Sequence, residues 1–188
     1  MISEEILAFR DRLAADPENR KIRISLHENY ELLESYWQRK FKGNNGEQIF
    51  CDRHQEFYWK FEEIRAIAKE FAQLAPVGNS KSNFQPTENI LKATYHLKYD
   101  AELFEEGQII VSQEERCNAN LWNQGRTSFK AVFEIVKQIR NNLFHGRKIE
   151  LDNLQYHRNQ SLIELANRFT NLLLVELVNA EVALNQKL

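Results

Sequence analysis

Residues 26–37 read LHENYELLESYW, and this stretch carries the pattern that decides the fold. Its large apolar residues recur at steps of four, three and four, which places them on one face of an α-helix and excludes the two-residue period of a strand face. These residues are Leu26, Tyr30, Leu33 and Trp37. Two further sets repeat the spacing: Phe57, Phe61, Ile64, Ala68 and Phe71, and then Val132, Val136, Ile139 and Leu143. The sequence therefore predicts amphipathic helices over most of its length.

The composition points to the same class. The 188 residues include only 6 Gly and 3 Pro, whereas an average chain contains roughly 12% of the two together. Sandwiches and barrels need turn residues every few positions, so this scarcity argues against an all-β fold. The chain is 43% hydrophobic and 28% charged, which is typical of a globular domain. We predict a single-domain, all-α bundle of about five to seven helices.

Start and stop signals place these helices along the chain. We expect helices over residues 3–15, 17–41, 52–74, 87–106, 127–144 and 153–186, and turns or loops at 43–46, 75–86 and 118–125. The composition of 75–86 also suggests a lid or a partner-binding loop. Residues 108–111 fit either a short strand or an irregular connection. The expected core of the domain is 87–188, with N-terminal helices over 3–75 packed on it.

Several classes of protein are disfavoured. Cys51 and Cys117 match neither a disulfide framework nor a metal-ligand spacing, and no cofactor motif is present. The other histidines, His27, His54, His96 and His157, have no second ligand at helical spacing and are expected to be surface or packing residues. The N-terminus is amphipathic and acidic, unlike a signal peptide, and no apolar run approaches the ~18 residues of a membrane span. We expect a cytoplasmic protein with no membrane partner.

The aromatic run at residues 57–59 suggests a surface for stacking bases. Successive residues of a helix differ by ~100° in direction, so the three rings cannot share one face. The spacing assigns Phe57 to the core and leaves Tyr58 or Trp59 on a flank. Packing between helices or at a subunit interface is therefore favoured over nucleotide stacking.

One helix combines the apolar stripe with a second, polar row. Residues 127–144 and the residues that follow read TSFKAVFEIVKQIRNNLFHGRK. Its polar row, at steps of four, three and four, consists of Glu134, Gln138, Asn141 and His145. Asn141 and His145 are therefore neighbours on an exposed face, and the long side chain of Arg140 can reach the same surface patch. Gly146 directly follows His145, where a left-handed residue often ends a helix.

Charge is concentrated around this helix. The whole chain carries −2, but residues 126–148 carry six bases and one acid, a local charge of +5 against −7 elsewhere. Local fields decide what binds at a surface, so the segment suits a phosphodiester. The candidate phosphate-binding residues are Arg126, Lys130, Lys137, Arg147 and Lys148.

These residue types match metal-independent RNA cleavage. The 2′-OH of RNA attacks the adjacent phosphorus, and a histidine near its pKa serves as base or acid. Arginine offers a fork of donors to the phosphoryl oxygens, and an amide orients the histidine or the phosphate. One histidine does not supply both an acid and a base, so two copies across a symmetric interface would be the natural solution.

The segment Arg140-Asn141-Asn142-Leu143-Phe144-His145 resembles the Arg-polar-x3-His signature of the HEPN superfamily, and its surroundings look like the Apea-like HEPN group. The resemblance is firmest over residues 127–184. It implies a metal-independent endoribonuclease with Arg140, Asn141 and His145 as the catalytic set. It also implies a homodimer with a composite active site, RNA as substrate, and roles in toxin–antitoxin, antiphage or RNA-processing systems with a possible antitoxin or sensor partner. Toxins of the family paired with a nucleotidyltransferase antitoxin often carry Tyr two residues after the histidine. Here that position is Arg147, so this mode of neutralisation is not expected.

Three alternatives remain open. In the first, the motif is structural: Arg140 pairs with an acid and His145 caps the helix C-terminus, where a cation is favourable. In the second, the same face binds RNA, a nucleotide or a protein without catalysis. In the third, the motif serves only the interface of a structural dimer.

Overall fold

A computed structural model describes residues 4–41, 45–74, 88–105, 112–122, 126–144 and 153–185. Within these ranges the chain forms eight helices and no strand, which confirms the predicted all-α class. The helices are α1 (Glu4–Ala15), α2 (Pro17–Lys40), α3 (Gly46–Trp59), α4 (Glu62–Gln73), α5 (Glu88–Tyr99), α6 (Gln113–Trp122), α7 (Ser128–Phe144) and α8 (Asn153–Asn185). The predictions for residues 43–44, 75–86 and 108–111 lie outside the described residues. In the described part of the chain, no helix is long and apolar enough to cross a membrane.

α2 forms where the apolar spacing and its capping residues agree. The Asp16 side chain accepts a hydrogen bond from the backbone N–H of Asn19 at 3.1 Å, and Pro17 occupies the first turn. At the other end, the N–H of Phe41 donates to the carbonyl of Trp37 at 2.8 Å. Gly46 is packed closely behind this end: a side-chain carbon there would lie 3.1 Å from Trp37 Cδ1. The predicted span of 17–41 therefore agrees with the observed helix to within one residue.

The predicted single helix over 52–74 is wrong, because the chain breaks between α3 and α4. The predicted start is also wrong, since α3 begins at Gly46, a residue of the predicted turn. The N–H of Phe61 donates to the carbonyl of Tyr58 at 3.1 Å, which tightens the last turn. The Arg65 guanidinium donates to the carbonyl of Trp59 at 2.7 Å, so it satisfies a carbonyl left open at the end of α3. The stripe changes face at this break. Phe57 is 44% exposed, so its predicted place in the core is wrong. Tyr58 is fully buried and Trp59 half-buried, so Trp59 is the flanking residue of the two.

The predicted loop over 118–125 is also wrong over 118–122, which belongs to α6. Ser112 and Glu115 form a reciprocal pair at its start: Ser112 Oγ accepts from the Glu115 N–H at 3.2 Å, and Glu115 Oε2 accepts from the Ser112 N–H at 2.7 Å. This is a capping box. Because of α6 and the break after α3, the described residues form eight helices, more than the five to seven predicted. α5 also ends earlier than expected, at Tyr99, and turns follow it.

The chain divides into two compact units, Met1–Glu47 with Ile139–Leu188, and Gln48–Gln138. In the first unit α2 packs along α8. Tyr156 Oη donates to Asp16 at 3.0 Å and Asn29 donates to Asn167 at 3.2 Å, so the two helices run parallel. This boundary differs from the predicted division at residue 87, and the single domain stays a prediction.

The second unit has an aromatic core. The rings of Tyr58 and Phe129 stack with centroids 5.7 Å apart and planes 5° apart. The centroid of the Phe50 ring lies 6.1 Å from the ring centroids of both Tyr58 and Phe133. α7 contributes its first residues to this core and its last residues, from Ile139 onward, to the first unit.

Candidate functional site

α7 carries the motif, and its burial is broader than a single stripe. Val132 and Val136 are buried as predicted, and Ile139 and Leu143 are half-buried. Further apolar residues of the helix are buried as well: Phe129, Ala131, Phe133 and Ile135. Apolar residues around most of a helix are typical of a central helix. The polar row, whose face was predicted to be exposed, is half-buried at Glu134, Gln138 and Asn141 and so less exposed than predicted.

Arg140 lies against α2. Its Nη2 atom is 3.7 Å from Glu34 Oε2, and its guanidinium carbon lies 5.1 Å from the centroid of the Tyr30 ring. The Arg140 side chain is only 21% exposed, while that of Glu34 is 40% exposed. A guanidinium over an aromatic face is attracted by the ring quadrupole. The arginine of the motif is therefore held in a fixed place by a carboxylate and a ring.

Asn141 is the direct partner of that arginine. Arg140 Nη1 donates to Asn141 Oδ1 at 3.2 Å. The sequence predicted that these two side chains reach one patch, and the contact confirms it. The third member of the predicted set, His145, lies outside the described residues, as do Arg147 and Lys148.

The other basic residues of the segment are in different surroundings. Lys130 is 13% exposed and ion-paired with Asp52, and its hydrogen bond holds the pKa of that carboxyl below its usual range. The Arg126 guanidinium lies 4.5 Å from the centroid of the Trp122 ring. Lys137 is half-buried. Part of the local positive charge is therefore already matched by protein groups.

The described part of the chain shows no group of three or more His, Cys, Asp or Glu side chains arranged to hold a metal. Cys51 is buried, Cys117 is exposed, and both are free thiols. His54 Nδ1 is 2.9 Å from the carbonyl of Phe50, and its ring stacks on the Phe50 ring. His27 Nε2 is 3.1 Å from Glu31. These contacts are those of surface and packing histidines.

A polar cluster that sequence reasoning missed joins α5 to the start of α7. His96 Nε2 is 2.9 Å from Ser128 Oγ, and the Ser128 hydroxyl donates to Asp100. A hydroxyl has one hydrogen, so His96 must donate to Ser128. His96 therefore cannot serve as a base toward this serine, and the cluster acts as a clamp between helices. The four-residue spacing of His96 and Asp100 was the only local signal, and it does not reveal a partner 32 residues away.

We found no significant match between this chain and any protein-family model, curated protein or solved structure. The resemblance to the HEPN superfamily therefore rests on the motif and its setting within this chain.

Proposed function

We propose that the protein is a metal-independent endoribonuclease of the HEPN type, with Arg140, Asn141 and His145 as its catalytic residues. The contact between Arg140 and Asn141 carries the proposal, because the two motif residues form one polar unit at the end of α7. The motif also lies in the basic segment of the chain, which suits a polyanionic substrate.

In the proposed reaction the 2′-oxygen of RNA bonds to the adjacent phosphorus and the bond from phosphorus to the 5′-oxygen breaks. The 2′-OH proton passes to a base and the leaving 5′-oxygen receives a proton, so the products are a 2′,3′-cyclic phosphate and a 5′-OH. His145 serves one of these proton transfers, and His145 of a second copy serves the other. Arg140 stabilises the extra charge on the phosphoryl oxygens. The active form is then a homodimer acting on cytoplasmic RNA as a toxin or defence effector, restrained by an antitoxin or sensor.

The surroundings of Arg140 define its part in this proposal. Glu34 and Tyr30 hold the guanidinium, and a preorganised donor costs no reorganisation when charge develops. The ion pair at 3.7 Å is long enough that a phosphate oxygen can compete with the Glu34 carboxylate.

Cleavage of single-stranded RNA in EDTA tests the proposal. The wild type should produce 2′,3′-cyclic phosphate ends, and His145→Ala should lose this activity while keeping its helical circular dichroism. His157→Ala is the matched control, because His157 is an exposed histidine on α8. Equal cleavage by the wild type and His145→Ala would refute the assignment.

One observation favours a second candidate, a non-catalytic helical module that binds RNA, a nucleotide or a protein. Arg140 pairs with an acid, which is what a structural arginine at this position would do. This candidate predicts binding that survives His145→Ala and weakens when Arg140, Arg147 and Lys148 are neutralised. The purely structural alternative predicts that Asn141→Leu leaves self-association unchanged or strengthens it.

A further inference from the structure

The outer face of α2 carries a second regular pattern, which lies exposed in the part of the chain that the structure describes. Glu28, Leu32, Ser35 and Arg39 recur at steps of four, three and four, the same spacing as the buried stripe of this helix. All four residues are exposed, and Leu32 is 59% exposed. Residues with this spacing form one stripe along a helix. α2 therefore presents an ordered stripe to solvent, apolar at Leu32 and charged at both ends.

The stripe borders a concave surface. A groove of about 440 Å³ is lined by Leu32, Ser35, Tyr36, Arg39 and Lys40. Ser35 is a small residue, so a large side chain from outside can approach the helix there. Helices that pair closely insert such a side chain into a hole formed by residues of the facing helix.

The charges identify the occupant. Glu28 and Arg39 lie at equal distances on either side of the point midway between residues 33 and 34. When two copies of α2 pair antiparallel about that point, Glu28 of each faces Arg39 of the other, and Leu32 of each faces Ser35. A two-fold interface requires this self-complementarity. Neither Glu28 nor Arg39 makes an ion pair within the residues that the structure describes.

We propose that this stripe (Glu28, Leu32, Ser35 and Arg39) pairs antiparallel with the same stripe of a second copy of the chain. The Leu32 side chains enter the two grooves, and the two pairs of Glu28 and Arg39 set the register. The proposal does not rest on the ribonuclease activity, because Arg140 contacts Tyr30 and Glu34, outside this stripe. α8 runs parallel beside α2, and its Val175 and Val178 are exposed as well.

Disulfide crosslinking tests the pairing regardless of any other interface. The variants are made in a Cys117→Ser background. In the proposed register, Ser35→Cys places the two Cα atoms about 4–5 Å apart along the helix axes, and Gln38→Cys places its two Cα atoms about 13–14 Å apart along them. A disulfide needs Cα atoms within roughly 7 Å. We expect a covalent dimer under mild oxidation from Ser35→Cys and none from Gln38→Cys. No dimer from Ser35→Cys, or equal yields at both positions, would overturn the proposal.

Two sets of variants test the residues of the stripe in the Ser35→Cys, Cys117→Ser background. Leu32→Glu should lower the association constant of the two copies, measured from the concentration dependence of crosslinking, by at least about tenfold. Leu121→Glu, at a leucine 53% exposed on α6, should leave it unchanged. Equal effects of the two would overturn the proposal.

Charge reversal tests the register. Glu28→Arg and Arg39→Glu should each reduce crosslinking by about threefold. An equimolar mixture of the two variants restores both attractive pairs, so it should crosslink between chains as well as the parent does. A mixture that stays as weak as either variant alone would exclude the antiparallel register.

Discussion

Replacing Arg140 by Lys separates a catalytic arginine from a structural one. Lysine keeps the positive charge, but it has no planar fork and stacks less well on a ring. Arg140 contacts Glu34 at 3.7 Å, the Tyr30 ring at 5.1 Å and Asn141 at 3.2 Å. We expect the substitution to leave the fold intact and to weaken these contacts.

Two of these contacts set the scale of the stability lost. A cation–π contact at a partly exposed site contributes about 0.5–1 kcal/mol, and an ion pair with a 40% exposed carboxylate contributes at most about 0.5–1 kcal/mol. Lysine retains part of the ion pair, so Arg140→Lys should cost about 1 kcal/mol. For a chain of this length, that loss corresponds to a decrease of about 2–4 °C in Tm.

The expected loss of activity is much larger. Removing one donor that stabilises developing negative charge typically costs about 100-fold to 1,000-fold in rate. Single-turnover cleavage of RNA in EDTA and urea unfolding of the same protein samples measure the two effects. Glu34→Gln is the control, since it removes the ion pair and keeps the motif. RNA cleavage by Arg140→Lys within about threefold of the wild type would refute a catalytic role for this arginine.

Three further predictions concern the second unit. Tyr58→Ala should cost about 3–5 kcal/mol in urea unfolding because the ring is fully buried, whereas Phe57→Ala, at a ring 44% exposed, should cost under about 1 kcal/mol; similar losses would contradict the assigned faces. The pKa of Asp52 is lowered by its hydrogen bond with Lys130, so this pair stabilises the fold above the unfolded pKa of ~3.9 and ceases to as the pH falls through the lower folded value; Tm measured from pH 7 to 2 should fall less in Lys130→Met, and an equal fall would exclude the pair as a contributor. Ser128→Ala leaves two polar partners without their shared hydroxyl and should cost about 1–3 kcal/mol in urea unfolding; a loss under about 0.5 kcal/mol would argue against the clamp.

The sequence predicted those helices whose own residues carry both the periodicity and the end signals. α2 has its stripe, its capping Asp16 and Pro17 within one segment, so local information was sufficient. The break after α3 was missed because Phe61 continues the apolar spacing across it. α6 was missed because the polar residues at 118–125 favour a loop, whereas the capping box that begins the helix lies earlier in the chain, at Ser112.

In the candidate site, too, contacts between residues close in sequence were predictable and contacts between distant residues were not. Arg140 and Asn141 are adjacent in the chain, so their contact was predictable from helical geometry. The partners that hold Arg140 in place come from another helix about a hundred positions away, and helical periodicity within α7 holds no information about them. The clamp at Ser128 has the same origin, since its histidine lies on α5.

The distribution of charge changes how the basic segment should act on RNA. Residues 126–148 carry +5 in the sequence, but Lys130 and Arg140 are matched by Asp52 and Glu34, two acids from other helices. A lysine already neutralised by a carboxylate releases few counterions when RNA binds, so it adds little to the salt dependence of affinity. The slope of log K against log salt should therefore be smaller than five phosphate contacts would give. Arg147 and Lys148 then account for more of the electrostatic affinity than their share of the basic residues in this segment. Both also lie close in sequence to His145, the proposed reacting group.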